Sequence, residues 1–86
     1  MANHYTTFGT TSYTIQVSAG GHAEAWIPFG VTYSSAPVVV CCLGGEQFKG
    51  FANPCQIKTN EFQVRIDNVG GAVGNPVVKW IAVGTL

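Results

Sequence analysis

The sequence predicts an all-β fold, a small antiparallel β-sandwich of about six strands. Apolar and polar residues alternate with period two between glycine and proline positions, and no apolar stripe with helical spacing is present. Turn signals recur at the short intervals typical of sandwiches and small barrels. Charged residues make up only 9% of the chain, against about 25% in an average globular protein. We therefore expect further copies of the chain to cover part of its exterior.

The strands are predicted from this alternation in chain order. Residues 1–12, rich in threonine, are predicted to form an extended arm or a ragged first strand. Pro28 lies in the strand that starts at His22, and this predicts an edge strand or a bulge. The continuous apolar run 37–43 predicts a central strand with both faces covered. The glycine-rich segment 68–75 predicts a long hairpin loop. The six predicted strands span 13–17, 22–29, 37–43, 48–57, 62–67 and 77–83.

Aromatic residues divide by the face of the strand on which they lie, because successive side chains point to opposite faces. Phe29, Phe62 and Trp80 fall on inward positions and are predicted in the core. Trp26 falls on an outward position, where a subunit contact is favoured over a platform for a ligand. Phe51 suits the core as well as a ligand site. The rings in or beside loops that are candidates for stacking on a sugar are Tyr33, Phe48 and Phe51.

The length predicts a single domain over residues 1–86. A chain of this size buries only about 60–65% of the surface that its unfolded form exposes. Small domains gain the missing stability from disulfides, metals or oligomerisation. Oligomerisation is the predicted source here.

Charge and hydropathy argue against several classes of partner. Four acidic and four basic residues give a formal net charge of zero, without the basic stripe of nucleic-acid-binding proteins or a polybasic membrane patch. No apolar run approaches the ~20 residues of a membrane span. The first residues lack the basic and apolar parts of a signal peptide, so synthesis in a cytosol is expected.

Catalytic and metal-binding patterns are missing, so the sequence predicts neither an enzyme nor a cofactor. There is no serine in a nucleophile elbow, no HExxH motif and no phosphate-binding glycine loop before a helix. The four carboxylates are scattered over separate segments. The cysteines and histidines lack the spacing of zinc ligands. Small buried thiols in a reduced compartment are favoured over a disulfide between Cys42 and Cys55.

Candidate ligand-binding residues lie in two segments that combine apolar surface with hydrogen-bonding groups, as sugar recognition requires. Arg65 and Asp67 share the outward face of one strand, about 6.5–7 Å apart. One can donate to, and the other accept from, adjacent hydroxyls of a sugar. The alternative is a cross-strand ion pair, for instance with Lys79 and Glu24, or a contact between subunits. The candidate set is Gln47, Phe48, Lys49, Arg65, Asp67 and Asn68.

Three short motifs follow one another along residues 22–84. The first motif is Trp26-Ile27-Pro28-Phe29 followed by Tyr33-Ser34-Ser35-Ala36-Pro37-Val38-Val39-Val40. The second is Asn60-Glu61-Phe62-Gln63-Val64, and the third is the last strand, Lys79-Trp80-Ile81-Ala82-Val83-Gly84. Their order and spacing resemble those of H-type lectin domains. The same pattern is similar to that of the receptor-binding C-terminal domains of bacteriophage tail fibres.

The resemblance implies a six-stranded antiparallel sandwich that assembles as a homotrimer and binds carbohydrate between neighbouring subunits. It places a basic sugar-contacting residue of the family near Lys49. Val69 and Gly70 stand where animal H-type lectins carry an aromatic residue and a histidine. That particular sugar pocket is therefore not reproduced.

The function expected from the resemblance is recognition of host-surface carbohydrate by the tail fibre of a phage or a phage-derived particle. Such a protein is made in the host cytoplasm without a signal peptide and becomes part of the virion tail, where it contacts other tail proteins. No nucleic acid, membrane insertion or metal is expected. The alternative is a structural trimerising cap or virion decoration protein without a sugar site.

Overall fold

The fold is a sandwich of two small antiparallel sheets. A computed structural model describes residues 4–12, 17–44, 49–70 and 77–86. Within those ranges no helix is long and apolar enough to cross a membrane. The described strands are β1 (His4–Ser12), β2 (His22–Pro28), β3 (Val38–Gly44), β4 (Gly50–Ile57), β5 (Glu61–Asn68) and β6 (Val77–Thr85). The predicted all-β class and the number of strands are confirmed.

Each sheet has three strands, a central one paired on both sides. One sheet has the order β1-β6-β3 and the other β2-β5-β4, with every pair antiparallel. The whole of β1 pairs with β6, so residues 4–12 form a strand. β2 lies at an edge, as Pro28 predicts. Of the predicted strand 13–17, only Val17 lies among the described residues, and it is buried.

The prediction that 37–43 forms a central strand covered on both faces is wrong. β3 lies at an edge of its sheet, and Val38 and Val40 are 72% and 61% exposed. Val39 between them is buried, so the strand alternates by face although its sequence is apolar throughout. The central strand of this sheet is β6. An apolar outer face departs from the polar outer face of a solvated antiparallel sheet.

The prediction that the segment 68–75 is a hairpin loop is also wrong. A hairpin joins two adjacent strands of one sheet, whereas β5 and β6 are the central strands of different sheets. The connection therefore passes from one layer to the other. At its start, the amides of Val69 and Gly70 donate to the carbonyl oxygen of Lys49 at 2.9 and 3.1 Å. Residues 71–76 lie outside the described ranges.

Four aromatic rings form the centre of the core between the sheets. Phe29, just after β2, stacks on Phe62 of β5 with ring centroids 5.5 Å apart. Both rings contact Trp80 of β6, at 5.8 and 5.6 Å. Tyr33 meets Phe29 edge-on at 5.5 Å. The inward positions predicted for Phe29, Phe62 and Trp80 are confirmed, because all three residues are buried.

Trp80 fits into this core because the strand beside it carries a glycine. Gly9 of β1 lies directly across from Trp80 in the ladder. A Cβ atom at position 9 would lie 2.8 Å from Trp80 Nε1, which is closer than van der Waals contact allows. The buried Nε1 has no hydrogen-bond partner among the described residues. Packing of the ring, rather than hydrogen bonding, therefore holds Trp80 in place.

Tyr33 holds β1 against β6 from inside the sandwich. Its hydroxyl lies 2.9 Å from Thr7 Oγ1, and it lies 3.2 and 3.4 Å from the carbonyl oxygens of Tyr5 and Ala82. The residue is only 2% exposed. Tyr33 is therefore unavailable for stacking on a sugar, which corrects the sequence-based suggestion.

Replacing Trp80 by alanine is expected to lower the free energy of unfolding by roughly 3–5 kcal/mol, the range for removing a large buried aromatic side chain. Chemical denaturation at a fixed protein concentration measures the loss. The matched control is Trp26→Ala, because Trp26 is 39% exposed and its removal should cost about 1 kcal/mol or less. A Trp80→Ala variant as stable as the wild-type protein would show that the inward assignment of Trp80 is wrong.

Candidate functional site

The candidate site lies on the outer surface of the β2-β5-β4 sheet. The side chains of Phe62, Val64 and Ile66 are buried in the core, so the intervening residues of β5 point outward. We call this outer surface the polar face. Its side chains form three rows across the strands: His22, Asp67 and Phe51; Glu24, Arg65 and Asn53; Trp26, Gln63 and Gln56.

A charged pair lies on the central strand of the polar face. Arg65 Nε lies 3.4 and 3.3 Å from Oδ1 and Oδ2 of Asp67, and Arg65 Nη2 lies 3.3 Å from Oδ1. Both side chains remain partly exposed. An exposed pair of this kind contributes about 1 kcal/mol or less to stability. The pair therefore contributes little to stability, and it keeps two charged groups together at the surface.

The partners suggested for a cross-strand ion pair lie elsewhere. Lys79 belongs to β6 in the other sheet. Glu24 lies across from Arg65 in the ladder, but the ion pairs found among the described residues are Lys58–Glu61 and Arg65–Asp67. The charged pair of the polar face is therefore formed along one strand.

Phe51 supplies an exposed ring beside the charged pair. The residue is 49% exposed and lies directly across from Asp67, where Cβ atoms are about 4.5–5.5 Å apart. Asn53 lies across from Arg65 in the next row. A ring, a carboxylate, a guanidinium and an amide therefore occupy four neighbouring positions on two strands. Apolar surface beside fixed donors and acceptors is the combination that small polar ligands require.

Trp26 lies at the opposite end of the polar face. Lys58 Nζ is 4.6 Å from the centre of the Trp26 ring, and the same ammonium group lies 3.8 Å from a carboxylate oxygen of Glu61. A cation from the same chain therefore covers part of the indole. Phe51 is the more open of the two rings.

Asn68 does not reach the polar face. It lies three residues after Arg65 on β5, points inward and is 2% exposed. Its Nδ2 donates to the carbonyl oxygen of Val17 at 2.8 Å, and its Oδ1 accepts from the amide of Gly70 at 3.0 Å. Asn68 is therefore a structural residue that joins separate segments of the chain, and the exposed site does not include it.

Of the remaining predicted residues, Lys49 lies within the described ranges, directly before β4. Lys49 is exposed and precedes Phe51 by two residues, which places it near the Phe51 end of the polar face. Gln47 and Phe48 lie outside the described residues. Asn53 was missed by the sequence analysis because a register shift at Cys55 interrupts the alternation of β4.

The cysteines are free thiols, and Cys41 is partly buried. The predicted burial is wrong for Cys42 and Cys55, which are exposed, because Cys42 points to the outer face of β3 and Cys55 lies at the register shift of β4. Burial, with smaller contributions from Cys42 and Cys55, raises the pKa of Cys41 from 9.0 to about 11. In the described part of the chain, no group of three or more His, Cys, Asp or Glu side chains is arranged to hold a metal ion.

The architecture is similar to that of solved tail-fibre and tailspike structures. An N-truncated R1-type pyocin tail fibre has a TM-score of 0.76 at 14% identity, over 94% of this chain and 70% of that one. A longer C-terminal fragment of the R1 pyocin fibre from Pseudomonas aeruginosa has a TM-score of 0.71 at 12% identity, over 94% and 23%. The tailspike of Pseudomonas phage phi297 has a TM-score of 0.61 at 16% identity, over 93% and 15%.

The fold is tail-fibre-like. At these identities the similarity shows the fold alone, and the chain spans less than a quarter of the second and third of these structures. The sequence matches no protein-family model, and no curated protein sequence matches it.

The raised pKa of Cys41 predicts slow alkylation of this thiol. With a pKa of about 11, roughly one Cys41 in a thousand is a thiolate at pH ~8, and the thiolate is the reactive form. We expect iodoacetamide to modify Cys41 at least ten times more slowly than the exposed Cys55. Peptide mass spectrometry over time measures both rates. Equal rates in the folded protein would contradict the burial of Cys41.

Proposed function

We propose that this chain is the receptor-recognition domain of a phage or phage-derived tail fibre and that it attaches to host-surface glycan through the polar face. The tail-fibre-like fold supports the placement in a virion tail. The resemblance of the sequence motifs to H-type lectins supports carbohydrate as the ligand class. In this proposal the chain acts as a homotrimer, contacts other tail proteins and carries no catalytic site.

The observation that carries the sugar-binding proposal is the arrangement of Phe51, Asp67 and Arg65. A sugar ring has an apolar C–H side and a rim of hydroxyls, so it needs a flat ring beside donors and acceptors. Phe51 provides the flat ring, Asp67 directly across from it provides acceptors, and Arg65 in the next row provides donors. Asn53, two residues after Phe51 on β4, and Lys49, directly before β4, add further polar groups.

The charged pair leaves capacity for a ligand. A guanidinium has five N–H groups, and the bonds to Asp67 use those on Nε and Nη2 of Arg65. Nη1 can therefore donate to a sugar hydroxyl while the pair stays intact. The pair also holds the long arginine side chain in one orientation, which lowers the entropy lost on binding.

The second candidate function is a structural trimerising cap or decoration protein without a sugar site. The observation in its favour is the same pair, because Arg65 and Asp67 satisfy each other without any ligand. Under this alternative the polar face is a solvated surface of the particle.

A glycan array with the wild-type protein, followed by titration of the best ligand, separates the two functions. Arg65→Ala is expected to weaken binding about 10- to 100-fold, the effect of losing a hydrogen bond to a charged group. Phe51→Ala should weaken binding by removing the stacking surface. The matched control is Lys58→Ala, which removes a cation at the Trp26 end of the face and should leave the affinity unchanged.

Two outcomes would count against this proposal in different ways. A wild-type protein that binds no surface glycan and no host cell would favour the structural cap. Glycan binding that neither Arg65→Ala nor Phe51→Ala weakens would keep the lectin function and move the site away from these residues.

A further inference from the structure

The outer surface of the β1-β6-β3 sheet carries a cluster of apolar residues, with exposed Thr6 and Thr10 beside it on β1 and Lys79 beside it on β6. Phe8, Ile81 and Val40 lie side by side across the three strands, and Val83 and Val38 lie together in the adjacent row. All five are exposed, and Phe8 is the most exposed of them, at 78%. We call these five residues the apolar face. Contiguous exposed apolar surface of this kind marks interaction sites on soluble proteins.

We infer that the apolar face is the surface through which copies of this chain assemble, with Phe8 of one copy seated in a groove of the next. The groove lies at the β3 side of the sheet, between the side chains of Val40 and Ile81 and those of the next row, Cys42 and Lys79. Its volume is about 220 Å³, and an apolar cavity of about 150 Å³ holds a benzene ring. The groove is open to solvent, and its volume is sufficient to accommodate a phenyl side chain that a neighbouring surface covers from above.

Phe8 and the groove are placed for contact between copies. Phe8 lies on β1, the groove lies between β6 and β3, and Ile81 of the central strand separates them. Phe8 is 78% exposed, so its ring does not fill the groove of its own chain. When two such sheets pack face to face or around a symmetry axis, β1 of one copy can lie against β3 of the next. Each copy then both donates a ring and accepts one.

The area of the apolar face matches what a stable subunit interface needs. A standard interface buries about 800 Å² per partner, of which about 450 Å² is apolar. With their exposed fractions, the five side chains offer roughly 250–450 Å² of apolar surface, if a fully exposed aliphatic side chain offers ~60–120 Å² and a phenylalanine ~150–250 Å². Burial of this face alone therefore supplies most of the apolar area of an interface.

Charge also favours a second copy as the occupant. Charged side chains are depleted at the centre of interfaces, and Lys79 is the charged side chain on this side of the described sheet. Its aliphatic stem lines the groove, and its ammonium group can lie over the ring of the incoming Phe8. An interface formed by the polar face would have to remove several charged groups from water. Trp26, favoured from the sequence as a subunit contact, lies on that polar face and outside the inferred interface.

Phe8→Lys tests the inference with the full chain. The new cation would lie against Lys79 of the neighbouring copy, and the fold should tolerate it because Phe8 is exposed. Light scattering at high micromolar concentration should give a multiple of 9.1 kDa for the wild-type protein and the monomer mass for Phe8→Lys. The matched control is Phe51→Lys, which changes an exposed phenylalanine of the other sheet and should stay oligomeric.

A cross-linking variant tests the same contact without relying on dissociation. In Phe8→Cys, the new thiol should form a disulfide with Cys42 of a second copy when diamide is added as the oxidant, and a non-reducing gel should show covalent oligomers. Positions 8 and 42 of one chain lie two strands and one row apart, beyond the ~7 Å between Cα atoms that a disulfide spans. Phe51→Cys serves as the control and should not form this cross-link.

The inference rests on the self-association in the proposed function and is independent of sugar binding. A monomeric wild-type protein, an oligomeric Phe8→Lys variant, or no cross-link through position 8 would overturn it. Dissociation of a wild-type dimer by Phe8→Lys would support the inferred interface and contradict the proposed trimer. A wild-type protein that assembles through Phe8 but binds no glycan would contradict the proposed sugar site and leave the inferred interface intact.

Discussion

The structure depends on the contact between aromatic rings that joins its two sheets. Phe29 and Phe62 come from one layer and Trp80 from the other, with ring centroids 5.5–5.8 Å apart. Each sheet has only three strands, and among the described residues no further sheet covers the outer face of either one. The cluster brings the largest side chains of both layers together at the centre of the buried core. Gly9 is part of this constraint, because a side chain there would displace Trp80.

Once this contact fixes which residues face inward, the two outer faces follow from alternation along the strands. Their chemistry differs. The β2-β5-β4 sheet presents charged, amide and aromatic groups around Arg65, whereas the β1-β6-β3 sheet presents valine, isoleucine and phenylalanine around Ile81. A chain with so few charges keeps most of them on one side. Under the proposed function and the inferred assembly, subunit contact and ligand recognition would use opposite surfaces of the sandwich.

Much of the fold could be predicted from the sequence, since period-two alternation shows which side of a strand a residue occupies. The inward positions of Phe62 and Trp80 were found in this way. Alternation does not show which strands are neighbours. The apolar run 37–43 therefore predicts a central strand, although β3 is an edge strand. Alternation also does not show contacts between distant segments. Tyr33 and Asn68 are buried, and they form hydrogen bonds to residues 26 to 51 positions away. No local pattern in the sequence indicates those bonds.

The separation of the two faces is tested most directly by hydroxyl-radical footprinting of the wild-type protein at low and high concentration. Oxidation of Phe8 is expected to fall as the protein associates, because the ring becomes buried between copies. Oxidation of Phe51 is expected to stay constant, because the polar face remains in water. Constant oxidation of Phe8 at every concentration, or protection of Phe51 on association, would contradict the account.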